Sequence, residues 1–160
     1  MSDVKQEKML LIPKIERGFV IDHIPVGMGI RVLEILTAEP GMKDVVTTVG
    51  LNYSSRRLGR KDMVKIVSDE IPARAAEILA LVSPGITIKH IRNFQVDEKL
   101  VVAPPAEILG HVKCRNPNCI TNNERGMRTH FKATRRDPHL YRCVFCERVF
   151  PLSELEMTVS

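Results

Sequence analysis

Apolar and β-branched residues recur along the first hundred positions in runs that predict a regular order of strands and helices. Continuous or alternating apolar runs predict strands, and a spacing of three to four residues predicts amphipathic helices. Pro72 opens the second helical stretch and Pro84-Gly85 ends it. The predicted elements are strands at 9–15, 19–23, 45–51 and 63–67, helices at 27–36 and 72–82, a loop at 52–62, and extended chain at 86–91 and 93–102.

The predicted order is strand, helix, strand, strand, helix, strand, which is that of a split βαβ or ferredoxin-like unit. In this arrangement two helices cover one face of a mostly antiparallel sheet. The other face, or an edge, then remains available to solvent, to a ligand or to a second chain.

Tandem prolines in the segment Ala103-Pro104-Pro105 predict a domain boundary. Such a segment continues neither a helix nor a sheet ladder, and it holds a connection extended. We therefore expect one domain at residues 1–103 and a second at 104–160. The second has short alternating stretches at 129–134 and 140–142 and a single weak helical stretch at 152–155, so the predicted class of the whole chain is α+β with a small all-β C-terminal domain.

The four cysteines of the chain all lie in this second domain, as Cys114-x4-Cys119 and Cys143-x2-Cys146. Two short turns that each supply two thiolates are typical of a structural zinc site, in which a closed tetrahedral shell leaves no position for catalysis. Two disulfides are the alternative, but such close pairs make poor staples. His111, His130 and His139 are possible competing ligands. The spacing predicts a zinc-ribbon-like domain that loses its fold without the ion.

Composition indicates a globular protein, with 44% hydrophobic and 27% charged residues in a chain of 160. No apolar run approaches the roughly 20 residues that cross a bilayer, and no signal peptide is recognisable. Together with reduced cysteines, these features predict a cytoplasmic protein with no membrane partner.

The net charge of +5 makes anionic partners plausible. Residues 1–103 carry 15 Lys and Arg against 13 Asp and Glu, and residues 104–160 carry 9 against 6. Neither part has a basic arm or a block of one sign, so we expect no nucleic-acid partner. A zinc ribbon that binds nucleic acid nevertheless remains the leading alternative, because Arg135-Arg136 lies near Phe131.

Residues 59–66 contain the richest cluster of charge in the first domain. If this segment is extended, Lys61, Met63 and Lys65 point to one face, where two ammonium groups suit a polyphosphate. Two solvated lysines on a strand are the plainer alternative. The sequence has no Walker-type loop and no dinucleotide fingerprint, so a nucleotide would be held by strand backbone and point charges.

Asp22 and His23 suggest a third possibility, a free-standing enzyme with a general base. No nucleophile with a recognisable elbow accompanies them. A hydrogen-bonded pair at a strand end is therefore favoured over catalysis.

Several segments in one order resemble the regulatory chain of aspartate carbamoyltransferase. They are residues 17–25 (RGFVIDHIP), 49–52 (VGLN) and 59–66 (GRKDMVKI), followed by the C-x4-C and C-x2-C pairs. The resemblance spans nearly the whole chain. It implies a non-catalytic subunit in pyrimidine biosynthesis, with an N-terminal domain that binds CTP or ATP and a C-terminal zinc domain that contacts the catalytic chain. It also implies a regulatory homodimer.

The resemblance further implies a set of site residues. Lys65 and Lys99 would face phosphates, Asp22 would accept from a ribose hydroxyl, and backbone near Ile15 and residues 89–91 would read the base. Lys89 stands where the family often has an asparagine. The implied nucleotide site comprises Ile15, Val20, Asp22, His23, Lys61, Lys65, Lys89, Ile91, Phe94, Val96 and Lys99, and the metal site Cys114, Cys119, Cys143 and Cys146.

Overall fold

The computed structural model describes residues 12–158, and their buried apolar side chains form two clusters. The larger cluster lies between a sheet and two helices, and the smaller lies among the short strands that follow. The mixture of helices and sheets, with cysteines gathered near the C-terminus, confirms the predicted α+β class. A domain boundary after residue 103 stays a prediction.

Residues 12–103, the first part of the chain, contain five strands and two helices. They are β1 Gly18–Ile24, α1 Gly29–Ala38, β2 Thr47–Ser55, β3 Gly59–Ile66, α2 Ala75–Val82, β4 Thr87–Arg92 and β5 Gln95–Val101. The strands form one antiparallel sheet in the order β2-β3-β1-β4-β5. The first four strands and both helices have the order of the ferredoxin-like unit, and β5 extends one edge.

Both helices pack on the same face of this sheet because each buries an apolar stripe. Val32 and Leu36 are buried in α1, and Leu79 is buried in α2. The sheet residues that share their cluster include Phe19, Ile21, Val64, Ile66, Ile86 and Ile88. Burial alternates along β3, so Lys61, Met63 and Lys65 point to the opposite face as predicted.

Two predicted segments of the first part are wrong. Residues 12–15 are not a strand, in part because Pro13 cannot donate to a ladder, and residues 9–11 of that predicted strand lie outside the described residues. The predicted loop at 52–62 is largely a hairpin in which β2 reaches Ser55 and β3 begins at Gly59. A register shift near Asn52, whose φ is 62°, hides this strand from simple alternation.

The extended chain predicted at 93–102 is a separate strand that follows a tight turn. Asn93 and Phe94 have φ values of 50° and 62°, as in a two-residue type I′ hairpin. Arg92 pairs with Gln95 across the turn. Phenylalanine is uncommon in this conformation, which explains why the residue pattern carries no signal of a reversal.

Residues 107–157 form two small sheets. Their elements are β6 Glu107–Leu109, β7 Val112–Lys113, α3 Ile120–Asn123, β8 His130–Ala133, β9 Leu140–Cys143, β10 Val149–Pro151 and β11 Glu156–Met157, with a 3-10 helix at Leu152–Glu154. One sheet has the order β10-β9-β8-β6, and β11 pairs with β7. The weak helical stretch predicted at 152–155 is this 3-10 helix. The sequence did not predict α3.

Candidate functional site: a cysteine cluster and a lysine-bearing sheet face

Two tight turns bring the cysteines together. In the first, the N–H of Cys119 donates to the carbonyl of Asn116 at 2.9 Å, and the Asn116 side chain accepts from the N–H of Asn118 at 3.1 Å. In the second, the N–H of Glu147 donates to the carbonyl of Cys143 at 2.9 Å, and Glu147 has a φ of 62°. Each turn therefore presents two sulfurs from one short segment.

The sulfur positions fit a single tetrahedral metal ion. The Sγ atoms of Cys114, Cys119, Cys143 and Cys146 all lie within 4.8 Å of one another, with 3.7 Å between Cys114 and Cys146 and 3.8 Å between Cys119 and Cys143. A disulfide requires about 2.05 Å, whereas thiolates about 2.3 Å from a zinc ion stand ~3.8 Å apart. The structure thus brings the four predicted ligands together as free thiols. We call this group the cysteine cluster.

Protons and a metal ion compete for the sulfurs of the cysteine cluster. Burial raises the pKa of Cys114. Burial also acts to raise the pKa of Cys146, but the N–H of Arg148 and the neighbouring Asn116 and cysteine side chains outweigh it and lower that pKa to about 7. A metal ion at the centre would displace the remaining protons, so metal binding and proton release are linked.

The histidines of this region lie outside the metal-ligand group found among residues 12–158. His130 pairs with Glu107 at 2.8 Å, and His111 contacts Arg74, the residue before α2. Competition from His111 or His130 for the metal is therefore not seen.

Three lysines and a valine form a row across four strands of the first sheet. Lys65 of β3 and Lys89 of β4 both stand opposite Val20 of β1, and Lys99 of β5 stands opposite Lys89. Opposed residues in neighbouring strands point to the same face, here the face away from the helices. At ~4.8 Å per strand the row spans about 14 Å. We call this surface, together with Lys61, the lysine face.

A buried carboxylate lies at the centre of the lysine face. Asp22 is 3% exposed and accepts from Lys61 Nζ at 2.6 Å, from Lys89 Nζ at 2.7 Å and from the N–H of His23 at 2.7 Å. Burial alone would raise the pKa of Asp22, but these hydrogen bonds outweigh it and hold the pKa well below its usual range. Asp22 therefore stays ionised. Because the four lysines outnumber it, the face favours an anionic ligand.

The segment that precedes β1 runs along one side of the lysine face. The carbonyl of Pro13 accepts from Lys65 Nζ at 2.6 Å, and the carbonyl of Glu16 accepts from the N–H of Phe94 at 3.0 Å. Gly50 makes room for Ile12, because a Cβ at Gly50 would come within 2.2 Å of the Ile12 side chain. The Pro13 carbonyl of this segment thus lies beside the ammonium group of Lys65.

All eleven residues predicted for the nucleotide lie on this face or at its rim. Strand register and the lysine contacts place eight of them on the face, namely Val20, Asp22, Lys61, Lys65, Lys89, Ile91, Val96 and Lys99. The other three lie at the rim of the face. Ile15 is in the segment that precedes β1, His23 is near the end of β1, and Phe94 is in the β4–β5 turn. A cavity of about 650 Å³ lies elsewhere, against the Phe19–His90 stack, and contains none of the eleven.

His23 packs against Thr87 and does not form a dyad with Asp22. Its Nδ1 lies 3.2 Å from Thr87 Oγ1 but 3.9 Å from the nearer Asp22 oxygen, which is too far for a hydrogen bond. Burial lowers the pKa of His23, so the ring is neutral at neutral pH. Thr87 is fully buried and was missed in the sequence, although a polar residue inside an apolar strand signals such a role.

Asp62 is a second supporting residue that the sequence analysis missed. Its buried carboxylate accepts from the N–H groups of Gly27, Gly29 and Asn52, each at 2.9 Å. It thereby ties β3, next to Lys61, to the turn that follows β1 and to the irregular point of β2. The signal was an acidic residue on the face of β3 that the alternation assigns to the core.

The lysine face and the cysteine cluster each lie in a region that matches a known protein family. Residues 10–103 match a family model described as aspartate carbamoyltransferase regulatory chain, allosteric domain, and residues 106–156 match one described as the metal binding domain of the same chain. A protein of Pyrobaculum arsenaticum named aspartate carbamoyltransferase regulatory chain is 42% identical over 92% of this chain and 98% of its own length. A protein of the same name from Methanothermobacter thermautotrophicus is 38% identical over 96% and 97%, and one from Thermofilum pendens is 41% identical over 94% of each chain.

Proposed function

This chain belongs to the family of aspartate carbamoyltransferase regulatory chains, and we propose that it controls its partner by binding CTP and ATP on the lysine face. Family membership confirms the predicted resemblance and makes this a regulatory subunit, with the catalytic chain as its partner and pyrimidine biosynthesis as its context. It also assigns an allosteric domain and a metal-binding domain. The effectors, their contacts and the route of transmission are our proposal.

The observation that carries the proposal is the row of Lys65, Lys89 and Lys99 around the paired Asp22. A triphosphate is a compact polyanion, and ammonium groups on adjacent strands can each make a charge-assisted hydrogen bond to it. We assign Lys65 and Lys99 to the phosphates. Lys61 and Lys89 already bind Asp22, so they supply charge close by without being mobile.

The remaining residues are assigned to the nucleoside. A carboxylate has lone pairs for more than two donors, so Asp22 can accept a ribose hydroxyl in addition to its lysines. Backbone near Ile15 and residues 89–91 is assigned to the base edge. The apolar side chains of Val96 and Phe94, which are 55% and 56% exposed, are the surfaces assigned to the ring.

We assign zinc to the cysteine cluster. Four thiolates in closed tetrahedral geometry favour zinc among common cations, and the sulfur spacing fits it. The hydroxyl of Thr121 donates to Cys119 Sγ at 3.2 Å, which supports the ligand from outside. A reducing cytoplasm is the compartment that this thiol chemistry suits.

The surface around the cysteine turns is assigned to the catalytic chain. Ile120 follows Cys119, and Val144 and Phe145 lie between Cys143 and Cys146. These three apolar side chains are all exposed, and exposed apolar groups at rigid turns are common in interfaces. Metal binding would then set the contact surface as well as the fold.

We propose that a regulatory homodimer forms through one edge of the first sheet. Within residues 12–158, β2 and β5 each have a neighbouring strand on one side only. Such edges pair readily with another copy. A proline is introduced into β2 in one variant and into β5 in another, and sedimentation of each zinc-loaded chain shows which edge forms the dimer. If both variants remain dimeric, this assignment is contradicted.

Titration of the zinc-loaded chain with CTP, ATP and cytidine, followed by aspartate saturation curves of the reconstituted assembly, tests the regulatory proposal. We expect both triphosphates to bind more tightly than cytidine, binding to weaken with salt, and the curves to shift when nucleotide is added. An assembly that binds nucleotides without any change in its aspartate response would show that the chain is a structural bridge.

A further inference from the structure

The connection between the two parts of the chain is tied on both sides, so very little of it is free. On the N-terminal side, the N–H of Val102 donates to the carbonyl of Ile86 at 2.9 Å, and the carbonyl of Val102 accepts from the N–H of Gly85 at 3.0 Å. On the C-terminal side, the carbonyl of Pro105 accepts a hydrogen bond from Tyr141. Only Ala103 and Pro104 lie between these ties.

The second tie comes from the centre of the C-terminal core. Tyr141 on β9 is fully buried, and its hydroxyl donates to the Pro105 carbonyl at 2.6 Å. One side chain therefore joins the core that contains the cysteines to the last residue of the connection.

The same core also reaches the first part of the chain. Leu81 of α2 belongs to the cluster that includes Tyr141 and Phe131, while Leu79 and Ala80 of the same helix belong to the cluster beneath the sheet. Helix α2 is thus shared by the two cores. A shift of the sheet reaches the C-terminal part by two routes, through α2 and through the short connection.

From these contacts we infer that Tyr141 is a positioning residue for allosteric transmission: its hydroxyl holds Pro105, so that the connection acts as a stiff arm between the lysine face and the metal-binding part. The inference rests on the proposed function, because it needs a nucleotide response to transmit. Without the hydroxyl, the free connection would extend from Ala103 to Pro105, and the arm would absorb part of any displacement.

Tyr141→Phe removes only the oxygen and keeps the ring that fills the core. In the zinc-loaded assembly with catalytic chains, we expect CTP affinity and zinc content to stay unchanged. We expect the change that CTP or ATP causes in the half-saturating aspartate concentration to shrink by about twofold to fivefold. Pro104→Gly loosens the same arm without touching the core, and it should have the same effect.

Phe150→Leu is the matched control for a purely structural role. Phe150 packs edge-on against Phe131 with ring centroids 6.4 Å apart, so its truncation loosens the same core but leaves the Tyr141–Pro105 bond in place. We expect this variant to lower thermal stability while keeping the full nucleotide response.

The double variant Tyr141→Phe, Pro104→Gly shows whether both substitutions act through one element. If they do, their combined loss of response will be smaller than the product of the single losses. A wild-type assembly that responds to CTP, with Tyr141→Phe and Pro104→Gly assemblies that respond equally, overturns the inference and leaves the proposed function intact. A wild-type assembly without any response overturns the proposed function and, with it, this inference.

Discussion

The lysine face and the cysteine cluster both gather ionisable groups, but they are held in place by opposite means. The lysine face lies on a sheet whose other side is covered by helices and a large apolar cluster, and two of its four lysines, Lys61 and Lys89, are already paired with Asp22. In the C-terminal part, Cys114, Cys119 and Cys143 themselves belong to the buried core. We therefore expect a ligand to add to the first site after folding, and the metal to be part of what folds the second.

Removal of the metal should produce the largest difference between the two regions. Structural zinc supplies on the order of 10 to 16 kcal/mol in comparable small sites, more than the C-terminal core can replace. We expect chelation, or Cys143→Ser, to unfold residues 104–160 and release the catalytic chain. CTP binding by the first region should largely persist, as titration of the chelated chain will show.

Thr121→Val serves as the control, because it removes the hydrogen bond to Cys119 and leaves the four ligands. It should weaken zinc affinity by about 10- to 100-fold, much less than the loss of a ligand. A stoichiometric complex with the catalytic chain after complete metal removal would contradict the dependence of this region on the metal.

Asp22→Asn should break the internal pairing of the lysine face. Removing one partner of a buried ion pair costs about 3 to 5 kcal/mol, and because Lys61 and Lys89 are 15% and 23% exposed, we expect about 2 to 3 kcal/mol from urea unfolding of the zinc-loaded chain. Asp69→Asn is the matched control, since Asp69 pairs with Arg17 on the surface and should contribute almost nothing. Equal losses for the two variants would contradict a central role for Asp22.

The pH dependence of Asp22 follows from the lowered pKa of the folded state. The stabilisation is fully present above the unfolded pKa of about 3.9, and it is lost as the pH falls further, toward the lowered pKa of the folded chain. The wild-type chain should therefore lose this contribution only in strong acid. The Asp22→Asn chain should lack that part of the acid transition.

The sequence predicted the cysteine cluster better than the edges of the lysine face, for physical reasons. Thiol spacing alone constrains a tetrahedral site, so Cys114 and Cys143 could be paired with their partners before any fold was known. Strand β5, which carries Lys99, was harder to distinguish from β4 in the sequence. The turn between them uses Phe94 in a left-handed conformation that few residues adopt.

The partners of the buried carboxylates Asp22 and Asp62 were visible only in the fold. Asp22 gave no sign in the sequence that it would bind Lys89, since 66 residues separate the two in the chain and antiparallel pairing of β1 with β4 brings them together. The acidic residue on the core-facing side of β3 signalled that Asp62 is buried, but its partners are backbone N–H groups, which no side-chain pattern identifies. Long-range register is what the local periodicity could not supply.

Lysine substitutions should affect ligand binding more than folding. Lys65→Ala and Lys99→Ala should each weaken CTP by roughly 1.5 to 3 kcal/mol, the value of a hydrogen bond to a charged group, with a much smaller effect on cytidine. Isothermal titration of both ligands measures the difference. Lys43→Ala, at an exposed position between α1 and β2, is the control. Equal losses for CTP and cytidine would place these lysines at the base or in the fold, away from the phosphates.

The smallest expected effect concerns the contact between the two regions. Arg74, the residue before α2, donates to Nε2 of His111, which requires a neutral ring because a protonated imidazole has no acceptor. Burial, followed by the nearby Arg74 and Arg128, lowers the pKa of His111, while Glu39 and Glu77 act in the opposite direction.

Because the folded pKa lies below the ordinary value, the contact contributes stability that is fully present above about pH 6.5 and is lost as the pH falls through the folded pKa of His111. A partly exposed contact of this kind is worth less than about 1 kcal/mol.

Because the contact is lost when His111 is protonated, the methyl signals of Leu81 in the C-terminal core should shift as His111 titrates in the zinc-loaded chain. His111→Gln keeps an acceptor for Arg74 at every pH, so its Leu81 signals should stay constant, whereas His139→Gln should leave the wild-type profile unchanged. If the His111→Gln chain shows the same pH profile as wild type, another group controls this contact. The two regions are then held together by Leu81 and Tyr141 without a contribution from Arg74 and His111.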